Sequence, residues 1–581
     1  MTGAAAGSVG AASRPPVGAA SAATLDSINK ESWLKPLLRV VLQLAVVIAV
    51  GGCGSAPEPA PPAALQVGGA TGSELAPVQV LHKGNGAEPE SLDPHRAESV
   101  TASNILRDLF EGLTLEGADG TLLPGAASSW DISADGLTYT FHMRPDGRWS
   151  NGDPVTARDF EFGLRRSCDP ATLNEYASIL YPIANAEAVI AGRLPPTALG
   201  VRALDDTTLE ITLHGPTPYF LGLLTHGTAY AVHRASVEKL GNKFSRPGSL
   251  VSNGAYRLEE WVVQSHIRLA RNTHYWDNER TTINEVFYYP IENDDSEVNR
   301  YRAGELDFTE SLPFRQIRWL RENLPRDLRI SPYLGTYYFG FNNTRPPFRD
   351  NLQLRMALSL AVDREILTQR VMGSGEIAAY GFVPPVQNYS GQQAPWAQWT
   401  QEQRNEEARR LYRQAGYSEE NPLVVEVLYN TDQNHKRIAG ALAAMWKQTL
   451  GVRAKLLNQE WKVFLENRKR KIITQVFRSG WIGDYNDAYT FSQLMHSENG
   501  QNDPGYRSAA YDDLLDQAAV AADPARRRSL LEAAERQLLA DMPLIPLYFY
   551  VSKRLVKPWV GGFTPNIMDH HHTKDFYILK H

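Results

Sequence analysis

From Val78 onward, strand-period and helix-period runs alternate with no linker between them, a pattern that confines the chain to mixed α/β architectures. Val78-Gln79-Val80-Leu81 has strand character, and Ser99 to Leu109 carries apolar residues at helical spacing. Trp130 to Arg148 alternates strand and turn, with a hairpin-like period in LTYTFHMRPDGRWSNGDPVT. In VTARDFEFGLRRS, Thr156 stands at an N-cap position with Asp159 three residues on, a variant of the capping box. LGVRALDDTTLEITLHGPTPYF predicts two strands around an Asp205-Asp206 turn. NLQLRMALSLAVDREIL predicts one amphipathic helix, and PLVVEVLYN a buried strand leading into a helix over HKRIAGALAAMWKQTLG. At 581 residues, with an ordinary 43% of hydrophobic residues, the chain is too long for one core, so about three domains are expected. No internal repeat is visible, and no Pro/Gly/Ser-rich stretch follows residue 72, so the domains should pack against one another.

The segment upstream of this pattern has a different character. Residues Met1 to Asn29 are rich in Ala, Gly and Ser and have the composition of a disordered leader. Lys30, Lys35 and Arg39 then precede an apolar run from Val40 to Val50, broken only by Gln43 and ending at Gly51-Gly52-Cys53. A basic flank, a short apolar core and small residues describe a secretory signal. The run falls short of the roughly 20 apolar residues that a membrane-spanning helix needs. Cys53 after two small residues resembles a lipoprotein lipidation site, and Gly54 to about Gly72 would be its Pro/Ala/Gly/Ser tether. A retained signal anchor with an incidental Cys53 is the alternative. The long stretch before Lys30 departs from ordinary signals and is compatible with a translation start further downstream. The second cysteine is Cys168, so acylation of Cys53 would leave no intramolecular disulfide, although an exported protein could hold one.

Several classes of function can be set aside on residue types. The 59 basic and 65 acidic residues are spread along the chain, with a net charge of -6 and no basic footprint for nucleic acid. No HExxH, GxxxxGK[ST] or GxSxG segment is present, and Gly84-Asn85-Gly86 lacks a third glycine at phosphate-loop spacing. His570-His571-His572 would point to different sides of an extended segment, with no cysteine to complete a metal set, and is expected to form a solvated turn. No enzyme, metal or cofactor is therefore expected. The 25 tyrosines suit a surface that grips varied ligands, although in a chain this long most should belong to the core.

Segments in a fixed order carry a more specific signal: ESLDPHRAESVTASNILRDLFEGL, WSNGDPVTARDF, SNGAYRLEEWV, RNTHYWDN, NRYRAGELDFT, LYNTDQNHKRIA, NQEWKVFLENR, GWIGDYND and RLVKPWVGGFT. Together they resemble the periplasmic oligopeptide-binding proteins of ABC importers, over nearly all of the chain from about Val78. Asn253-Gly254-Ala255-Tyr256 and Tyr275-Trp276 mark the broad family. EWKVFLENR and GWIGDYND point to its oligopeptide branch rather than its dipeptide, haem or nickel branches. The resemblance implies an α/β clamshell of three domains with mixed sheets. Domain I would comprise 73–111, 236–334 and 551–581, domain II 112–235 and domain III 335–550, after a leader and signal over 1–52 and a tether over 53–72. The two crossovers between domains I and III would be hinges.

The same resemblance implies a site that reads what all peptides share. Asp484 would pair with the peptide amine, because an unpaired charge in a closed cleft is costly; on sequence alone it is equally a turn residue beside Gly483. Gly480, Trp481 and Ile482 would run alongside the ligand as an added strand, with Glu98 and Val100 as the matching edge and Tyr176 bonding the backbone near its start. Arg468 and Arg478 would take the peptide C-terminus or acidic side chains, a structural ion pair being the alternative for Arg478. Trp461 and, more weakly, Tyr333, Tyr338 and Tyr550 would wall the side-chain pockets. Hydrated pockets of this kind give tolerance rather than selectivity. Glu310-Ser311 replaces asparagines of relatives, so a Glu310 facing the cleft would favour basic peptides. A cysteine pair of some relatives matches Gly335 and Ile482 here, and both cysteines are missing together. The expected partners are short peptides and the permease and ATPase subunits of an importer, for a monomer anchored in the periplasm through Cys53. A murein-peptide receptor of the same fold, an exported peptidase, and a chaperone or adhesin role are the alternatives.

Overall fold

The computed structural model describes residues 74–581, apart from residues 387 and 472–474 and the side chains at 461 and 462. Cys53 with its signal and tether lies outside the described residues, as does the side chain of Trp461.

Three larger sheets organise the described residues. In the first, Val80–Gly84 lies parallel to Glu285–Tyr289, followed by antiparallel His266–Arg271 and Tyr256–Val262. The second is antiparallel throughout, in the order Ala127–Ile132, Thr138–Met143, Thr208–Thr212, Val201–Ala203. The third has six strands, in the order Ile377–Ala378, Leu544–Leu555, Leu328–Phe341, Val476–Ile482, Val424–Asn430 and Arg453–Gln459. Its pairing is antiparallel on one side of Val476–Ile482 and parallel on the other. The fold is thus mixed α/β, as the alternating pattern implies.

Side-chain alternation on a strand divides the third sheet's surroundings into two cores. Tyr337, Phe339 and Phe341 pack with Trp446 of the helix Gln433–Leu450 on one face. Leu334 and Tyr338 pack with Phe491, Tyr511 and Leu538 on the other. The first two sheets share a further core, in which Trp149, Phe160 and Tyr256 are fully buried.

Local signals start the helices that matter for the site. Ser99 caps Val100–Leu109, its hydroxyl accepting the Ala102 N–H at 3.1 Å. Asp159 accepts both the N–H and the hydroxyl of Thr156 at 2.9 Å, closing the expected box ahead of Ala157–Cys168. The Cys168 thiol at the end of that helix is free and buried, and burial pushes its pKa up to about 12.

Two expectations fail. The segment NLQLRMALSLAVDREIL is not one helix: Leu352–Leu360 stops, and Asp363 caps a new turn by accepting the Ile366 N–H at 2.8 Å. Buried Arg364 turns back to the Ser359 and Val362 carbonyls and across to those of Ala379 and Pro546. Those tertiary bonds outweigh the amphipathic period. His570-His571-His572 is not a solvated turn either. His570 bonds Glu116, His571 bonds Asp569 at 3.0 Å and His572 approaches the Arg107 carbonyl at 3.3 Å. Burial pushes the His571 and His572 pKa values down to about 4 and about 3, so both rings are neutral at pH 7.

Leu328–Phe341 and Leu544–Leu555 are the longest strands described, and they pair with each other. The ladder runs from Leu328 opposite Leu555 to Pro332 opposite Val551, shifts register, and resumes at Thr336 opposite Phe549. Within the shift, Leu334 turns away: its N–H donates to the Ile567 carbonyl at 2.7 Å, and its carbonyl accepts the Gly483 N–H at 2.8 Å.

Candidate functional site

The register shift and the cap of Val100–Leu109 both open onto a cavity of about 400 Å³. Its walls come from residues 97–107, Tyr176, residues 225–230, residues 310–312, Tyr333, residues 482–484, residues 550–554 and residues 568–570.

Gly483 sets the position of Asp484. A side chain at 483 would meet Leu334 at 2.6 Å, so only glycine lets the chain pass there. The Asp484 backbone N–H donates to the Thr490 hydroxyl at 3.4 Å, which turns the half-buried carboxyl toward the cavity. Among the described residues, no hydrogen bond or ion pair engages that carboxyl. Loss of water alone raises its pKa to about 6. The Tyr176 phenol shares this corner: burial, then the charges of Asp484, Glu98 and Glu90, raise its pKa.

The strand leading to Asp484 is paired along one edge only. Gly480, Trp481 and Ile482 stand opposite Tyr337, Thr336 and Gly335. On the other edge the ladder stops at Val476 and Phe477, opposite Val427 and Leu428. Main chain from Arg478 to Ile482 therefore presents a free edge among the described residues, which an extended ligand can extend as an added strand. Gly335 and Ile482 stand face to face, and a Cβ at 335 would meet Ile482 Cδ1 at 2.5 Å. The isoleucine occupies the space of the missing side chain.

Tyr485 is held by aromatic rings from elsewhere in the sequence. It stacks on Tyr219 at 4.6 Å between centroids, with only 5° between the planes, and Tyr489 covers Tyr219 at 5.4 Å. Arg527 lies 5.4 Å from the Tyr219 ring and grips Asp487 with two bonds of 2.7 and 2.8 Å. The loop bearing Asp484 is thus clamped on both sides.

Several other charges around the cavity are paired. Buried Arg554 bonds Glu310 at 2.7 Å and also Asp569; burial alone would raise the Asp569 pKa, but Arg554 and His571 hold it far below the ordinary value. Lys553 bonds Glu376 at 2.6 Å. Burial raises the Glu116 pKa, but His570, together with Arg107 and His572, brings it below the ordinary carboxylate value. His226, which lies over the Tyr176 ring at 5.6 Å, is driven to about 4 by burial and then by Arg107, and stays neutral. Glu310 lines the cavity as expected, with its carboxylate bonded to Arg554, which Asp569 shares.

The structure sorts the expected site residues into two groups. Glu98, Val100, Tyr176, Ile482 and Asp484, with Tyr333 and Tyr550, line the cavity. Gly480 and Trp481 do not reach it but extend the same edge; the Tyr550 hydroxyl lies 2.8 Å from where a Cβ at 480 would be. Arg468 is instead paired with Asp503 at 2.6 Å. Arg478 donates to Asn430 and to the Tyr550 hydroxyl at 3.4 and 3.3 Å, one side chain behind the cavity wall. Tyr338 is buried and does not line the cavity, standing edge-on to Phe382 at 5.3 Å. Sequence reasoning missed Arg107, His226, Tyr230 and Arg554. Arg107 and Arg554 lie in segments carrying the resemblance; His226 and Tyr230 sit in a stretch without a local pattern.

The family model of the bacterial extracellular solute-binding proteins, family 5 (middle), matches residues 121–503. The periplasmic oligopeptide-binding protein OppA of Escherichia coli K12 is 45% identical over 515 residues, which cover 88% of this chain and 94% of that protein. Among solved structures, Haemophilus influenzae OppA in complex with RPPGFSPFR aligns with a TM-score of 0.75 at 40% identity, covering 87% of this chain and all of that one. The E. coli murein tripeptide-binding protein MppA aligns at 0.76 and 39% identity, covering 88% and 100%.

Proposed function

Because the chain belongs to the family 5 bacterial extracellular solute-binding proteins, we propose that it captures short peptides and delivers them to the permease and ATPase subunits of an ABC importer. One observation carries this reading: an unengaged carboxyl, Asp484, stands at the end of a strand edge with no ladder partner. The carboxylate takes the peptide amine, and the edge from Arg478 to Ile482 takes the peptide backbone, with Glu98 and Val100 facing it. Neither element reads side chains, so one site serves many sequences. Tyr176 bonds the ligand near its amine. Arg478 acts through Tyr550, and Arg468 serves as a structural ion pair.

In this reading, segments 73–111, 236–334 and 551–581 form one domain, 112–235 a second and 335–550 a third. The register shift at Tyr333–Gly335 supports a hinge there, because an interrupted ladder bends at less cost than a continuous one. Tyr219 from the second domain then closes on Tyr485 of the third. Tyr219→Leu should raise the dissociation rate about 2- to 13-fold in stopped-flow measurements, since aromatic pairs contribute about 0.5–1.5 kcal/mol beyond their burial. An unchanged rate would exclude a closing role for the stack. The protein itself is a periplasmic monomer, tethered through acylated Cys53.

Titration across pH tests the core of the proposal. With its pKa at about 6, Asp484 is ionised at pH 7 and loses its charge below pH 6. Affinity for a tripeptide with a free amine should be flat above pH 7 and fall by up to tenfold per unit below pH 6. An N-acetylated tripeptide should bind weakly at every pH. Equal binding of both forms by calorimetry would defeat the proposed amine contact. Native mass spectrometry of freshly purified protein gives an independent check: mixed co-purifying peptides support the oligopeptide reading, and a single diaminopimelate-containing species supports a murein-peptide receptor.

A further inference from the structure

A second charge on the cavity wall has no protein counterpart. Arg107 sits in the last turn of Val100–Leu109 and lines the same cavity as Asp484. A guanidinium carries five N–H donors. The Arg107 side chain makes one hydrogen bond among the described residues, from Nη1 to the Asn104 Oδ1 at 3.0 Å. No carboxylate of the described residues lies within ion-pair distance of it, although its charge acts on His226, Tyr230 and His572 nearby.

The other cations of the wall are accounted for. Lys553 is engaged by Glu376 and Arg554 by Glu310 and Asp569, while Glu116, whose carboxylate feels the charge of Arg107, is bonded to His570. The partially negative end of the helix makes a cation at this position favourable, but it takes none of the remaining N–H donors. Asn104, three residues earlier on the same face, fixes one end of the fork and leaves the rest for a planar, doubly accepting group.

We infer that Arg107 is the anchor for a carboxylate of the bound peptide, supplied either by its C-terminus or by an acidic side chain. The inference rests on the peptide-receptor reading. It makes the cleft zwitterionic, with Asp484 for the ammonium and Arg107 for the carboxylate, so that closure leaves neither ligand charge without a partner.

Four probes test it by calorimetry at pH 7: Ala-Ala-Ala, its C-terminal amide, and the C-terminal amides of Ala-Glu-Ala and Ala-Gln-Ala. The wild type should prefer one carboxylate-bearing probe over its neutral counterpart by about 10- to 100-fold, the scale of a hydrogen bond to a charged group. A preference within the first pair assigns the carboxylate to the C-terminus; one within the second pair assigns it to a side chain. Arg107→Gln should abolish that preference while binding the neutral probes as the wild type does, which also reports that the variant is folded. Arg107→Lys should keep part of it. A wild type with no preference in either pair, or a preference that survives Arg107→Gln, overturns the assignment. If no probe binds the wild type at all, the peptide-receptor reading falls with it.

Discussion

Asp484→Asn is expected to weaken binding of peptides with a free amine by at least about 30-fold while making the ligand-free protein more stable. Truncating one partner of a desolvated charge pair costs about 2–5 kcal/mol, much of it from the ligand charge left without a partner. In the empty cleft the same carboxylate is a liability. Its pKa is raised to about 6 by desolvation and nothing offsets that, so ionising it opposes folding. The sign follows directly. The native carboxyl binds a proton more tightly than the unfolded one, so wild-type stability falls as pH rises from the ordinary carboxylate range through about 6. Asparagine removes that loss, which at one pKa unit per about 1.36 kcal/mol is worth up to about 3 kcal/mol at pH 7. Melting curves of the two proteins should converge near pH 4 and separate above pH 6. Full affinity in the variant, or a variant less stable than the wild type at pH 7, would remove Asp484 from the site.

The second large effect lies on the cavity floor. Arg554→Met should destabilise the protein by about 3–5 kcal/mol at pH 7, because it leaves the Glu310 and Asp569 carboxylates together without their cation. Arg554 also donates to the Thr309 and Glu310 carbonyls at 3.3 and 3.1 Å, which lose those bonds as well. The deficit should shrink as pH falls. In the wild type the depressed Asp569 pKa contributes stability above the ordinary carboxylate range that is lost on acidification. In the variant, those carboxylates take up protons already at higher pH. Combining Arg554→Met with Glu310→Gln and Asp569→Asn should recover much of the loss, since no uncompensated charge is left behind. Denaturant midpoints at pH 7 and pH 4.5 distinguish the cases, and a single variant that unfolds like the wild type would show the triad to be dispensable.

What could be read from residues alone followed the range of the interactions. The helical spacing from Ser99, the Thr156 cap, the turn at Asp205-Asp206 and the helix over HKRIAGALAAMWKQTLG depend on neighbours within a few positions, and all four are present. The break at Asp363 was hidden because the bonds that enforce it reach Pro546. Asp484 was accessible through a compact segment, GWIGDYND, that holds its carboxylate, glycine and edge strand together. Arg554 and Glu310 are far apart in sequence and share no motif, so their pairing could not be anticipated. Tyr338 shows a different limit. Strand alternation separates it from Tyr337, but only the packed structure decides which of the two faces looks toward Trp446 and which toward Phe382.

The isoleucine that fills the place opposite Gly335 has a consequence for the chemistry of the compartment. Within the described residues Cys168 is the only thiol, and it is buried and reluctant to ionise. Folding of this part of the chain therefore needs no oxidant and no isomerase to sort its pairings. Its binding cleft works alike in oxidising and reducing surroundings. At Gly335 and Ile482 van der Waals contact holds the two strands together, and reductants leave it untouched.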